Sequence, residues 1–371
     1  MPERQSITKN IRWLAGANIL VKPFWFLFLL VSARVLGPLE FGNYMYALSY
    51  LAVIAVLFEG GLDILLVKDI ALSPESYSKF FSHSYFLKVI FAIVVVVVAN
   101  TVAFAFNYST ETRILVLIAS LYNMFNSLML HFRSVFRAFE VMQYEALSVI
   151  FEKGFVILAC SISILMAPNA GVFMLTFAFA YLLASVGTLT ILKSKFSIPK
   201  LNIDKKYLWV NVLKPALPFA LMNIFIVIYF RSGTLILDNL THDKQSVGYY
   251  NAGFRLIESF MLFPTILVAP IYPAFSRLKD DKNAIGPLLF DAVRILLFVS
   301  IMIALPILLF RNNITLLLFG EGYGPAADSV GIIALAMIPI SITFIAGNLV
   351  AAAGRQMRAN IFIVRLSVPF L

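Results

Sequence analysis

Residues 19–33 read ILVKPFWFLFLLVSA, an almost unbroken apolar run with one ammonium, Lys22, inside it. Taken with the residues from 12 onward, the run is long enough to cross a bilayer, whose hydrocarbon core takes about 20 helical residues. The rest of the chain has the same character. Of its 371 residues 61% are hydrophobic and only 13% charged, and the mean hydropathy is +0.91. Soluble domains keep about a quarter of their residues charged. This chain cannot cover a water-facing surface, so its composition places it in a membrane. Its 35 phenylalanines suit helices that face lipid.

Other classes drop out on composition. The one cysteine, Cys160, excludes an internal disulfide framework and a cysteine metal site, and His83, His131 and His242 lie too far apart for ligand spacing. The net charge of +10 is scattered through short loops. That is the distribution of cytoplasmic loops in a membrane protein, not of a nucleic-acid patch. Arg4, Lys9 and Arg12 precede the first apolar run as in a signal peptide. A signal core has only about 7–15 residues, however, so this run reads as an uncleaved span.

Ten stretches are long enough to span, near residues 12–33, 43–66, 84–106, 114–136, 146–167, 171–192, 211–237, 247–272, 288–310 and 329–352; an eleventh opens near 359 and meets the chain end at Leu371. With the N-terminus inside, the inner segments carry Arg4, Lys9, Arg12, Lys68, Lys79, Arg137, the lysines from Lys193 to Lys214, Arg277, Lys279, Lys282, Arg355 and Arg358. The outer loops carry only Arg34, Arg113, Lys244 and Arg311. This asymmetry supports a cytoplasmic N-terminus. The long polar connector from Lys193 to Pro215 divides the chain into an N-terminal six-helix lobe (1–195), a cytoplasmic linker (196–210) and a C-terminal lobe (211–371) expected to be truncated in its eleventh span. The expected fold class is all-α, a polytopic membrane protein of two pseudo-symmetric helix bundles. EFGNYMYALSYL (40–51) and SVGYYNAGFRLI (246–257) both place a Gly and then tyrosines at a helix start, and Gly42 and Gly248 stand 206 residues apart. Met142 and Met357 show a similar offset. Six spans per repeat in one orientation imply parallel repeats, with cargo bound at the midplane between them.

Several stretches in order resemble polysaccharide-export flippases. These belong to the superfamily that also holds multidrug-and-toxin extrusion pumps and the peptidoglycan-precursor flippase. The stretches are NIRWLAGANI, SARVLGPLEFGNYMYALSY, GGLDILLVKDIA, FRAFEVMQYEA (136–146), LKPALPFAL (213–221), SVGYYNAGFRLIE (246–258), PIYPAFSRL (270–278) and LFGEGYGPAA (318–327). The resemblance implies two six-helix lobes around a cavity, alternating access, and no covalent chemistry. The implied task is movement of a polyprenyl-diphosphate-linked oligosaccharide from the inner to the outer leaflet of a bacterial cytoplasmic membrane, with membrane lipids and glycan polymerase machinery as partners. It also implies no cofactor beyond coupling to H+ or Na+. The chain departs from the family in two ways. Members usually have twelve to fourteen spans, and where many have Arg-x-Asp in the seventh span this chain reads RSG, Arg231 to Gly233. A cation-coupling role at that position is therefore not carried over.

Charges inside spans are the candidate site residues, because each costs about 2.5–3.5 kcal/mol at a helix centre. Lys22 is too deep for its stem to reach water by snorkelling. It pairs with Glu59 or Asp63, lines the substrate path and attracts diphosphate, or snorkels part of the way towards the surface. Arg231, in the counterpart span, offers a bidentate phosphate binder. Arg255 and Glu258, three apart on one helix face, form either a local pair or a substrate contact beside an ion-coupling acid. Arg34 is either an interface anchor or a further substrate contact; Arg311 is an interface anchor. Glu59 and Asp63, one turn apart, are either a solvated inner end near Lys68 and Asp69 or a pair of carboxylates suited to proton coupling. The functions left open are a lipid-linked oligosaccharide flippase, a multidrug-type cation exporter, whose cavity should be acidic, and a membrane glycan polymerase or transferase. The last is disfavoured by the short outer loops and the lack of a catalytic constellation.

Overall fold

The computed structural model describes residues 5–59, 61–261, 263, 264, 268, 275 and 282–352. The eleventh span, Met357, most of PIYPAFSRL and the basic residues Arg4, Arg277, Lys279, Arg355 and Arg358 lie outside the described residues. The described chain is helical with no strand, as expected where backbone polar groups must be satisfied within each segment.

The long helices are α1 (Ile7–Glu59), α2 (Leu62–Leu72), α3 (Tyr77–Ala105), α4 (Thr110–Ala138), α5 (Met142–Met166) and α6 (Ala170–Lys195). After a short α7 (Lys205–Tyr207) and a π-helical segment Leu208–Leu213 come α8 (Lys214–Thr241) and α9 (Lys244–Phe260). Then follow α10 (Lys282–Leu309), α11 (Arg311–Phe319), α12 (Ala327–Leu335) and α13 (Met337–Ala352). Among the described residues eight helical stretches are long and apolar enough to cross a membrane. The first runs Thr8–Glu59 and holds two expected spans, because the chain turns at Gly37 with φ 73° and ψ 169°. Only glycine adopts such a conformation without strain, and Pro38 follows it. The α9 helix stands where the eighth span was expected. The second expected span, 43–66, is not one helix: α1 stops at Glu59 and α2 begins at Leu62.

Helix starts follow local chemistry. The Ser109 hydroxyl accepts from the Thr112 N–H at 3.2 Å, and the Asn169 side chain accepts from Gly171 N–H at 2.7 Å and Val172 N–H at 3.3 Å. These side chains satisfy donors that the first helical turn leaves open.

By its contacts the chain forms two compact units, Met1–Gly248 and Tyr249–Leu371. In the first, α4 packs on α3, α5 and α6, and both halves of α1 join the bundle together with α8. Its core at the linker end is aromatic: Tyr77, Phe139 and Phe196 meet with centroids 5.1–6.2 Å apart. The linker is fastened to α3. Ser82 donates to the Lys200 carbonyl at 3.2 Å, and the Asp204 N–H donates to His83 Nε2 at 2.9 Å. In the second unit α10 packs on α12 and α13. Outward-facing side chains such as Leu158, Leu165 and Phe298 are apolar and exposed, which is what a hydrocarbon solvent selects.

On α1 and α9 two glycines meet the opposite backbone. A Cβ on Gly42 would collide with the carbonyl oxygen of Lys244, and a Cβ on Gly248 with that of Pro38. Only glycine allows so close an approach.

Candidate functional site

One face of α4 explains where the buried charges sit. Ser120, Asn123, Ser127, His131 and Ser134 recur at intervals of three and four and are all buried. They form a polar stripe turned into the bundle. In an apolar interior each polar group needs a partner, and the neighbouring helices supply several.

The centre of this stripe is a charged cluster. Asp63, at the start of α2, receives Lys88 Nζ of α3 at 3.1 Å and His131 Nδ1 at 2.7 Å. Lys88 and His131 are 2% and 0% exposed, Asp63 24%. One turn back, Glu59 accepts from the Asn123 amide at 2.8 Å. Two carboxylates thus face one lysine and one imidazole, so the cluster's net charge depends on the protons held by Glu59 and His131. Ser84 makes both states of His131 possible. It lies 3.2 Å from His131 Nε2 and 3.2 Å from the Phe81 carbonyl. With neutral His131 its hydroxyl can donate to Nε2; with a protonated ring it can accept from Nε2–H and donate to Phe81. A hydroxyl rotation therefore accommodates proton uptake without moving a helix.

A second network lies further along α4. Arg133 binds Glu152 of α5 at 2.7 Å and donates from Nε to Ser148 at 2.8 Å. Lys153 reaches the same Glu152 at 2.6 Å and sits 3.9 Å from the ring centre of Trp25, and Tyr181 donates to Glu152 at 2.8 Å. The two cations share one carboxylate, which ties α1, α4, α5 and α6 together.

The expected site residues fall as follows. Lys22 is exposed on α1 and pairs with no carboxylate among the described residues. Its pairing with Glu59 or Asp63 does not form, because Asn123, Lys88 and His131 hold those groups. Glu59 and Asp63 are not a solvated helix end beside Lys68 and Asp69: they face into the α2–α3–α4 interior, and Asp69 binds Ser76 at 2.8 Å. Arg231 is half-buried on α8, within electrostatic reach of Tyr122 on α4. Arg34 is exposed on α1. In the second unit Arg255 and Glu258 form the local pair on α9, and Arg311 pairs with Asp328 at 2.8 Å. Sequence reasoning missed Lys88, His131, Arg133, Glu152 and Lys153. The signal was present as the Ser–Asn–Ser–His–Ser spacing on α4, which marks the face that acids and bases must approach. His131, set apart from the other histidines in the sequence, draws its partners Asp63 and Ser84 from elsewhere in the chain.

Solved structures share this fold. An inward-facing multidrug resistance MATE family transporter of the MOP superfamily matches with TM-score 0.74 and 12% identity, covering 90% of this chain and 82% of that one. The lipid II flippase MurJ, in an inward closed conformation, matches with TM-score 0.66 and 18% identity over 90% of this chain and 75% of that one. A MOP superfamily transporter from Pyrococcus furiosus, described as having a binding pocket of reverse polarity, matches with TM-score 0.59 and 15% identity over 96% and 85%. No curated protein sequence matches the chain. Residues 7–279 match the family described as polysaccharide biosynthesis protein, which is most of the chain's length. The chain belongs to that family, on an all-helical membrane fold shared with transporters of the MOP superfamily.

Proposed function

We propose that the protein is a flippase. It moves polyprenyl-diphosphate-linked oligosaccharide units from the inner to the outer leaflet of a bacterial cytoplasmic membrane by alternating access, and it carries out no covalent chemistry. Family membership supports the polysaccharide context, and the fold shared with a lipid II flippase supports a lipid-linked cargo. The observation that carries the reading is Lys22. It is an ammonium in mid-span, exposed, with no carboxylate partner among the described residues. Such a charge is stable in a membrane only against water or an anion, and a diphosphate is the anion at hand. Arg231 adds a bidentate donor, with Arg34 and Arg255 as further contacts. The polyprenyl tail stays in lipid, and glycan polymerase machinery takes the delivered unit.

The Asp63–Lys88–His131 cluster with Glu59 is the coupling element in this reading, taking up and releasing H+; Glu258 is the second candidate. A multidrug cation exporter would need free acids in its path. Here Asp63, Glu152 and Glu258 each hold a basic partner, which favours an anionic cargo.

The test uses proteoliposomes loaded with a polyprenyl-diphosphate oligosaccharide, with sugar exposure followed by an external lectin. The expected outcome is flipping by the wild type and loss of at least about tenfold in rate in a Lys22→Gln, Arg231→Gln double variant that still inserts. Equal rates in the two proteins would sink the cationic-path reading.

A further inference from the structure

Opposite the linker end of the first unit, the Phe106–Ser109 turn, the end of α8 and the start of α9 enclose a cavity of about 570 Å³. That lies within the roughly 300–1,000 Å³ of small-ligand sites. None of the candidate residues above lines it. We propose that this cavity binds a neutral pyranose ring, a sugar of the oligosaccharide cargo at the face where it is delivered. The identity of the sugar's carrier rests on the flippase reading; the site's chemistry does not.

The walls are aromatic. Tyr46 and Tyr50, one turn apart on α1, stack with centroids 6.3 Å apart, and Tyr108 stands edge-on to Tyr50 at 5.7 Å. At the rim Phe106 is 71% exposed. Tyr46 and Tyr50 are buried and form the back of the cavity, so the aromatic surface open to the apolar C–H face of a sugar ring is that of Phe106 and half-buried Tyr108.

The charges cancel. Lys244 Nζ lies 2.7 Å from Asp238 Oδ1 and 3.1 Å from the ring centre of Tyr46. Its charge is therefore already met by a carboxylate and a π-face. A diphosphate or a lipid phosphate would find no free cation here, whereas a neutral hydroxylated ring loses nothing.

Two polar groups remain. The Asn239 amide and the His242 imidazole line the cavity and have no protein partner among the described residues. His242 closes α8 with φ 50°, a left-handed conformation that is uncommon outside glycine. An amide and an imidazole together offer donors and acceptors, and sugar hydroxyls are both.

The test is saturation-transfer NMR on the full chain in nanodiscs. The probes are the methyl pyranosides of glucose, galactose, mannose and N-acetylglucosamine. Transfer to the ring C–H protons of at least one of them is expected in the wild type. Phe106→Ala and Asn239→Ala, both at exposed positions, should each weaken it about fivefold with an unchanged melting temperature, while Lys22→Gln leaves it intact. Absence of transfer to all four probes, or equal transfer in both variants, overturns the proposal. Flipping of the lipid-linked substrate without pyranoside transfer removes this site and keeps the proposed function; transfer that Phe106→Ala and Asn239→Ala weaken, without flipping, keeps the site and removes that function.

Discussion

Lys88 carries its charge well inside α3 with 2% of its side chain exposed, and Asp63 is the carboxylate that meets it. Removing one partner of a buried pair leaves an uncompensated charge, at a cost of about 3–5 kcal/mol. Asp63→Asn is therefore expected to lower unfolding stability in detergent by that amount. Adding Lys88→Met should recover most of the loss, because the charge to be compensated is then gone; no recovery would mean that Lys88 leans on other groups. His131 is the one imidazole in the cluster, and an imidazole can take up and release a proton. If that proton drives transport, flipping by the wild type varies with pH and flipping by His131→Gln does not. Proteoliposome rates in buffers of stepped pH decide it, and a variant that keeps the wild-type slope moves the proton to another group.

At the scale of elements, the close contact between α1 and α9 depends on having no side chain at Gly42 and Gly248. Gly248→Ala must push the Pro38 backbone away. Spin labels at Leu39 and Gln245, both exposed, should report a longer separation in the variant than in its parent, and Cys160, buried, leaves the background unlabelled. The linker has its own fastening. Asp204 caps α7 by accepting from Lys206 N–H at 2.9 Å and Tyr207 N–H at 3.3 Å, and these backbone donors, Tyr207 first, hold its carboxyl below the ordinary aspartate range. A lowered carboxyl contributes above its unfolded-state pKa, and the contribution fades as pH falls through its folded-state value. The cap is therefore intact at neutral pH and lost in acid. Asp204→Ala should speed hydrogen exchange at the Lys206 and Tyr207 amides at pH 7, and the difference should shrink as the wild type is acidified.

At the scale of the whole molecule, the proposed coupling to protons makes a directional prediction. A proton gradient across the proteoliposome membrane should raise the initial flipping rate several-fold, and a protonophore should return it to the ungraded value. Equal rates with and without the gradient would leave Na+ as the ion to test. Much of this architecture was legible beforehand because the bilayer imposes it. About 20 apolar residues per crossing placed the long helices α3, α4, α5, α6, α8 and α10 and the two crossings merged in α1, but neither α11 nor the breaks that divide 43–66 and 329–352. The charges visible as exceptions to that rule, Lys22, Arg231 and the Arg255–Glu258 pair, were found for the same reason. Lys88 and Glu152 were not, although they break the rule equally. Their meaning lies in partners brought close only by packing, 25 residues away for Asp63 and Lys88. The break between Glu59 and Leu62 was signalled by the Gly60–Gly61 pair, which a count of apolar residues passes over.

The two glycine contacts have one more implication. Pro38 and Lys244 are 206 residues apart, and so are Gly42 and Gly248; Gly42 touches Lys244 while Gly248 touches Pro38. Residue i meeting j' while j meets i' is the signature of an isologous interface between two identical subunits. Each glycine meets the residue that stands four positions before the other, so a side chain at either one is expected to open the same seam.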